Sequence, residues 1–103
     1  MITNFFYVTV KAGKEQEFNA LAIRMTKVSR AEDVGCVSYT WHQQQDNPRE
    51  FALVEQWNDQ ETLEAHLIHL QTLMGAAPPG EKLPAVFLDL IDSQRSFVYQ
   101  VVA

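Results

Sequence analysis

The 103-residue sequence has one cysteine, four glycines and four prolines, and its lysines and arginines are few and scattered. A single cysteine, Cys36, forms no internal disulfide, iron–sulfur cluster or structural zinc site. No neighbouring histidine or cationic cluster would activate its thiol as a nucleophile. It favours a reducing compartment, the cytoplasm. Four glycines supply no Gly-rich phosphate loop, so the sequence does not indicate a nucleotide cofactor.

Long apolar runs and clustered positive charge are also absent. No apolar run approaches the ~20 residues of a membrane-spanning helix, and the N-terminus has no basic segment followed by the apolar core of a signal peptide. Eight lysines and arginines against 13 aspartates and glutamates give a net charge of −5. Nucleic-acid binding needs clustered positive charge, so a sheet-surface RNA binder is disfavoured. We therefore expect neither a membrane nor a nucleic acid as partner.

Apolar residues make up 47% of the chain, enough for one core and one domain over residues 1–103. Strand-like and helix-like spacings of these residues follow one another in the order β-α-β-β-α-(α)-β. This order predicts an α+β, ferredoxin-like fold with a four-stranded antiparallel sheet. Asn58, followed by Glu61, is predicted to cap the second helix. The predicted elements are strands 2–10, 37–42, 51–57 and 95–102, helices 14–30 and 58–74, and a short helix within 81–91.

Two helices can cover only one face of such a sheet, and the other face is predicted to be apolar. In the second and third strands we expect the small residues under the helices and the large ones on the uncovered face. Each aromatic side chain buries roughly 150–250 Å², so this face would exceed the apolar patch usual for a monomer. We therefore expect a homodimer that leaves a hollow between sheet and helices. The small set is Ser38, Thr40, Ala52 and Val54, and the large set is Val37, Tyr39, Trp41, Phe51, Leu53 and Trp57.

Trp57 and His66 are the most informative pair of residues. Trp57 ends the third strand and His66 follows nine residues later on the next helix, so the indole and the imidazole can face one pocket. Such a pair indicates a small-molecule site in which His66 is a general base with a pKa near the working pH. The alternative is a half-buried histidine that holds the sheet or a loop, beside a tryptophan that only fills the core.

His69 lies one turn after His66 on the same side of the predicted helix. A His-x-x-His pair can hold a metal ion only with a third ligand, for which His42 and Glu55 are the visible candidates. Neither has a diagnostic spacing, so no metal is predicted.

Glu55 shares the strand face of Leu53 and Trp57 and is expected to be partly buried, so it needs a partner. An ion pair or hydrogen bond, with Arg24, Arg49 or Arg95 as the possible cation, is favoured over an acid–base role. Asn4 would orient a substrate oxygen or dioxygen, or would simply end a strand. Tyr39 and Trp41 fit either the pocket or the core and dimer interface. The full set of predicted substrate-binding residues is Asn4, Phe6, Tyr39, Trp41, His69, Met74 and Phe87.

These residues resemble the antibiotic biosynthesis monooxygenase (ABM) domain family of the dimeric α/β-barrel superfamily. The resemblance covers nearly the whole chain. Its most specific part is Glu55-Gln56-Trp57 with His66 nine residues after the tryptophan, which is similar to small quinol monooxygenases of this family. Further segments that carry it are Val10–Glu15 with Phe18, Glu32–Tyr39 and Leu63–His66.

The resemblance implies a ferredoxin-like homodimer with a pocket in each subunit. It also implies oxygenation of an electron-rich phenol or quinol without flavin or metal, in which the substrate's own carbanion or radical reacts with dioxygen. The protein would bind the phenol, take a proton and exclude water. Haem-degrading enzymes, isomerases and members without known activity are relatives as well. A non-catalytic dimer that binds a small hydrophobic ligand is therefore the alternative.

The chain departs from its relatives in ways that bear on the substrate. Close relatives often carry a second histidine five residues after the first, where this chain has Gln71. Residues 75–84 are individual, and because they would line the pocket, the substrate of a relative does not carry over. In the haem-degrading branch a tryptophan would fall at His66 and the haem-ligand histidine near Ala76, so that branch resembles this chain less.

Overall fold

The computed structural model describes residues 1–103 and contains one four-stranded sheet with its helices on one side. The strand order is β2-β3-β1-β4, and every neighbouring pair is antiparallel. The predicted ferredoxin-like α+β fold is therefore confirmed. Its elements are β1 (Ile2–Val10), α1 (Glu15–Glu32), β2 (Cys36–Gln43), β3 (Glu50–Trp57), α2 (Gln60–Met74), α3 (Ala85–Leu88) and β4 (Ile91–Gln100).

Two predicted boundaries move. The last strand begins at Ile91 rather than at residue 95, because its first residues continue the pairing with β1 beyond an irregularity at Thr9 and Val10. The cap of α2 is Asp59 rather than Asn58: its carboxylate accepts the backbone N–H of Thr62 at 2.9 Å. A turn-forming sequence with two adjacent capping residues does not say which one the chain uses.

The side of the sheet that the helices cover is the opposite of the one predicted for β2 and β3. Tyr39, Phe51, Leu53 and Trp57 are buried, each at most 4% exposed. These large side chains face the helices, because covering them removes more apolar area from water than covering the small set would. Trp41 packs against the same core while partly exposed, and the small set lies on the other face with Thr40 exposed.

Val37 is the exception within the large set. It lies at a register shift between Cys36 and Ser38 and is 50% exposed. A bulge inserts an extra residue and breaks the strict alternation of faces, so the parity of Val37 says little about its burial.

The face without helices still carries an aromatic patch, contributed by β1 and β4. Its members Tyr7, Phe97 and Tyr99 are 37%, 47% and 58% exposed. The register explains the cluster, since Phe5 is directly opposite Phe97 and its ring lies 5.4 Å from that of Tyr99. We call Phe5, Tyr7, Phe97 and Tyr99 the open-face patch.

The core between helices and sheet is built around Phe18 of α1. Its ring centroid is 4.8 Å from that of Phe51 and 5.3 Å from that of Trp41, spacings typical of attractive aromatic pairs. Phe87 of α3 stacks on Phe6 at 6.0 Å and closes the same cluster. These contacts fill one end of the space under the helices. No helix in the structure combines the length and the apolar content that crossing a membrane requires.

Candidate active site

A cavity of about 390 Å³ lies between the helix-covered face of the sheet, α1, α2 and the segment that precedes α3. Eleven of its 20 lining residues are hydrophobic. Asn4, Glu55 and His66 converge at what we call the polar end. The other polar lining residues are Gln60, Glu81, Lys82, Gln94 and Ser96. A mostly apolar cavity of a few hundred cubic ångströms with few convergent polar groups is typical of a small-molecule site.

Glu55 occupies the polar end because the sheet register places it between Tyr39 of β2 and Asn4 of β1. It is 3% exposed. One carboxylate oxygen, Oε1, accepts the indole N–H of Trp57 at 2.8 Å, and the other, Oε2, accepts the side-chain N–H of Asn4 at 3.0 Å. The hydroxyl of Ser96 donates to Asn4 Oδ1 at 2.7 Å and so orients the amide.

Of the three predicted arginine partners of Glu55, Arg24 is exposed on α1 and the other two contact other groups. Arg49 pairs with Asp92 at 2.6 Å, and the guanidinium of Arg95 lies 5.5 Å from the centre of the Tyr7 ring on the open face. Burial without a compensating cation raises the pKa of Glu55 to about 7, although the two N–H donors oppose the rise. The acid and its conjugate base are therefore both accessible near neutral pH.

His66 faces Glu55 from α2 and is 2% exposed. Its Nδ1 lies 2.6 Å from Asp33 Oδ2, and an ionised carboxylate can only accept, so this nitrogen carries the hydrogen. The opposite nitrogen, Nε2, keeps its lone pair and lies 4.0 Å from Glu55 Oε1. Burial lowers the pKa of His66, whereas Asp33 acts in the opposite direction. A neutral imidazole with a fixed tautomer is the form required of a general base.

Two aromatic rings hold the imidazole in place. The Trp57 ring lies 4.6 Å away at 36°, and the Tyr39 ring lies 5.4 Å away nearly edge-on. Burial, followed by the charge of Glu55, raises the pKa of the Tyr39 hydroxyl. Tyr39 therefore stays neutral and serves as a wall of the cavity.

Asp33 is the residue that sequence reasoning missed. It follows α1, its side chain is 6% exposed, and its second oxygen lies 2.6 Å from His69 Nδ1. One carboxylate thus binds both histidines of α2. A weak signal existed, because an acidic residue at the C-terminal end of a helix opposes the helix dipole, and a partner such as a histidine offsets that effect.

Gly35 brings Asp33 to α2. Its φ of +85° suits glycine, and a Cβ at this position would come within 2.5 Å of Thr62 Cγ2 in the first turn of α2. The Gly35 carbonyl also accepts the backbone N–H of Asn58 at 2.9 Å. Only glycine allows the turn after α1 to approach the start of α2 this closely.

The structure brings together most of the predicted site residues. Trp57 does not reach the cavity, because it is fully buried behind Glu55 and His66. His69 lies outside it on Asp33, and Met74 packs against the core. The indole N–H of Trp41 is buried without a hydrogen-bond partner. Those that line the cavity are Asn4, Phe6, Tyr39, Trp41, His66 and Phe87.

The metal alternative has no support from the arrangement of side chains. His66 and His69 direct their Nδ1 atoms at the Asp33 carboxylate. His42 is an exposed residue of β2 whose Nδ1 lies 3.3 Å from the Ala52 carbonyl oxygen. No three histidine, cysteine, aspartate or glutamate side chains are grouped so that they could hold a metal ion.

The protein has a ferredoxin-like α+β fold with a cavity between its sheet and helices. Solved structures share this fold over almost the full chain. A Mycobacterium tuberculosis protein superposes with a TM-score of 0.80 at 18% identity, covering 99% of this chain and 95% of its own. A conserved protein from Methanosarcina mazei gives 0.77 at 22%, covering 96% and 90%.

A structure described as an antibiotic biosynthesis monooxygenase matches with a TM-score of 0.77 at 15% identity, covering all of both chains. The family model for antibiotic biosynthesis monooxygenase matches residues 1–71. The chain therefore belongs to the antibiotic biosynthesis monooxygenase family, as its sequence indicated. No curated protein matches it.

Proposed function

We propose that this protein is a cofactor-independent monooxygenase that oxidises a small phenol or quinol bound in the cavity. The observation that carries the proposal is the 4.0 Å separation between His66 Nε2 and Glu55 Oε1 at the polar end of the cavity. An oxygen about 2.8 Å from each atom fits between them. A phenolic hydroxyl placed there would donate its proton to His66, while the apolar walls hold the ring.

The proposed role of the protein is to make the phenolate and keep it dry. Nδ1 of His66 is held by Asp33, so the imidazolium that forms is stabilised by a charge-assisted hydrogen bond. The phenolate is electron-rich enough to reduce dioxygen itself, so the proposed reaction uses neither flavin nor metal. Exclusion of water strengthens these interactions and protects the intermediate.

Oxygen uptake with a panel of phenols and hydroquinones tests this function. We expect the wild-type protein to consume one dioxygen per substrate, faster than autoxidation and undiminished by a metal chelator. The matched control is the methyl ether of each active phenol, which fills the same space but has no acidic proton and should compete without reacting. If panel members bind and no uptake follows, the protein is the non-catalytic ligand-binding alternative.

We further propose that two copies pair through the open-face patch. Three of its rings are between 37% and 58% exposed, and contiguous exposed aromatic surface of this kind marks an interface.

The proposed location of the protein is the cytoplasm. The free Cys36 thiol supports it, because a reducing compartment keeps thiols reduced.

Sedimentation tests the dimer. We expect a dimer at micromolar concentration, and Phe97→Glu should weaken it by at least about tenfold, because pairing would bury an unpartnered charge. The control is Ile68→Glu, which places the same charge on α2 at a residue that is 66% exposed. A well-folded wild-type monomer at this concentration would contradict the proposal.

A further inference from the structure

Glu55 has surroundings that a purely structural carboxylate does not need. A buried carboxylate that only stabilises a fold is normally matched by a cation. Here both oxygens receive one N–H each from neutral side chains, Trp57 and Asn4. The only potential cation close to the carboxylate is the imidazole of His66, whose Nε2 lies 4.0 Å from Oε1. The carboxyl is thus held in place without being neutralised.

The carboxyl also faces the cavity. Glu55, Asn4 and His66 all line it, together with Ser96. The hydrogen bond from Ser96 to Asn4 Oδ1 fixes which end of the amide meets Glu55. The orientation of the carboxyl is therefore determined by two successive hydrogen bonds, which is the arrangement expected of a group that must meet a substrate atom.

We propose that Glu55 is the second acid–base residue of this site, acting with His66 on phenols that are converted to quinones at an unsubstituted ring carbon. This inference rests on the proposed oxygenase function and adds the residue that protonates the peroxide anion and takes the proton of the ring carbon. The sequence favoured a structural ion pair or hydrogen bond for Glu55; the hydrogen bonds from Asn4 and Trp57 are present, and the proposal adds an acid–base role to them.

The first half of the reaction needs one base and one acid. His66 Nε2 takes the phenolic proton, and the phenolate transfers electrons to dioxygen through its ring carbon, so that a C–O bond forms and a peroxide anion results. Glu55, in its acid form, gives its proton to that anion. The products of this half are a hydroperoxide, an imidazolium and a carboxylate.

The second half returns every proton. The Glu55 carboxylate takes the hydrogen of the oxygenated ring carbon, its electron pair forms the C=O bond, and the O–O bond breaks. The hydroxide that leaves takes the proton from the His66 imidazolium and becomes water. A phenol and one dioxygen have become a quinone and one water, with both residues in their starting forms. A phenol substituted at every position ortho and para to the hydroxyl lacks the hydrogen that this step requires.

The burial of Glu55 suits both halves. A carboxyl whose pKa is raised to about 7 is present in both its acid and its ionised form near neutral pH, so it can give a proton to the peroxide anion and take one from the ring carbon. General acids work best when their pKa lies near the working pH.

Glu55→Gln removes the exchangeable proton, but its amide nitrogen meets one of the two N–H donors and breaks a hydrogen bond. The double variant Glu55→Gln with Asn4→Asp restores the pairing, because the new amide donates to the new carboxylate and still accepts from Trp57. The matched control is Glu50→Gln, an amide substitution in the same strand, where the carboxylate accepts from Thr9 at 2.7 Å outside the cavity.

Two readouts separate this inference from the function it rests on. The first is the rate of quinone formation, which we expect to fall about 100-fold in both Glu55 variants and to stay unchanged in the control. The second needs no turnover: 4-nitrophenol is added without oxygen, and the infrared carbonyl band of the protonated Glu55 carboxyl should shift. That band should be missing in the Glu55→Gln variant.

The outcomes are distinguishable. If the wild-type protein forms quinone and the double variant does so at a rate within about threefold of wild type, the proposed role of Glu55 is wrong and the oxygenase function stands. If the infrared carbonyl band of Glu55 does not shift when 4-nitrophenol binds, the proposed role of Glu55 is wrong as well. A shifting band in a wild-type protein that never consumes oxygen overturns the proposed function, while it supports Glu55 as the acid that contacts the phenol.

Discussion

Replacing His66 by glutamine is expected to lower the maximal rate of oxygen uptake by about 100-fold to 10,000-fold, the range that general-base catalysis contributes. The side chain is 2% exposed and its Nε2 lies 4.0 Å from Glu55 Oε1, where the phenolic oxygen is proposed to bind. Glutamine is close to histidine in length, but its amide cannot accept a proton near neutral pH. Stopped-flow uptake at saturating phenol measures the effect on the chemical step.

His42→Gln is the matched control for that variant. His42 lies on β2 as an exposed residue outside the cavity, so the same substitution there should leave the rate within about twofold. A His66→Gln variant that binds phenols more weakly but turns them over at the wild-type maximal rate would show that His66 holds the ligand without acting as a base.

Asp33→Asn tests whether the carboxylate acts through His66. An amide offers one oxygen and one N–H to the two imidazoles that Asp33 now binds at 2.6 Å each. If its N–H meets His66 Nδ1, the hydrogen of that ring moves to Nε2 and the lone pair for the phenol is lost. We expect a large loss of rate with the phenol dissociation constant little changed, and a changed tautomer in the nitrogen NMR spectrum of the ring. An unchanged tautomer and rate would leave Asp33 with a structural role only.

The free energy of unfolding should fall by about 3 kcal/mol between pH 4.5 and pH 7 because of Glu55 alone. Its pKa is raised from 4.5 to about 7 in the folded protein. Between these values the folded state holds one more proton than the unfolded state, so stability decreases as pH rises. The contribution is fully present below the unfolded pKa and is lost as pH passes through the folded value.

Chemical denaturation of wild type and Glu55→Gln across this range isolates the effect. His66 acts in the opposite direction, since its lowered pKa makes the unfolded state bind more protons below about pH 6.5. His66 is present in both proteins, so the difference between the two curves reports Glu55. Parallel curves for wild type and Glu55→Gln would mean that folding does not raise the pKa of Glu55, which would contradict the effect expected from its burial.

The order of the secondary-structure elements was predictable because the residue types and apolar spacing within each segment indicate whether it forms a strand or a helix. Strand β1 is rich in β-branched and aromatic residues, β2 alternates Tyr39 and Trp41 with polar neighbours, and α1 repeats Phe18, Ala22 and Met25 at helical spacing. All three of these side chains are buried. The boundary errors at Asp59 and Ile91 arose where turn residues or an irregular strand pairing left several endings equally compatible with the local sequence.

The candidate site was predictable in part. Asn4, Tyr39 and His66 were named from residue type and their place on a strand or helix, and all three line the cavity, although strand parity had placed Tyr39 on the uncovered face. Trp57 was named for the same reason, yet it lies behind Glu55 and contributes its N–H rather than its ring. Residue type predicted that these side chains matter near one pocket, but not which of them meet the ligand.

Sequence alone determined the succession of strands and helices, the apolar surplus and the spacing of Trp57 at a strand end from His66 on the next helix. Tertiary structure alone decided which face of β2 and β3 the helices cover, and it alone linked His66 to Asp33, 33 residues earlier, and set Glu55 opposite His66 without a cation. The physical reason is that periodicity records which side chains share a face. Which face is covered, and which distant groups then meet in a low dielectric, depends on how much apolar area the packed elements bury together.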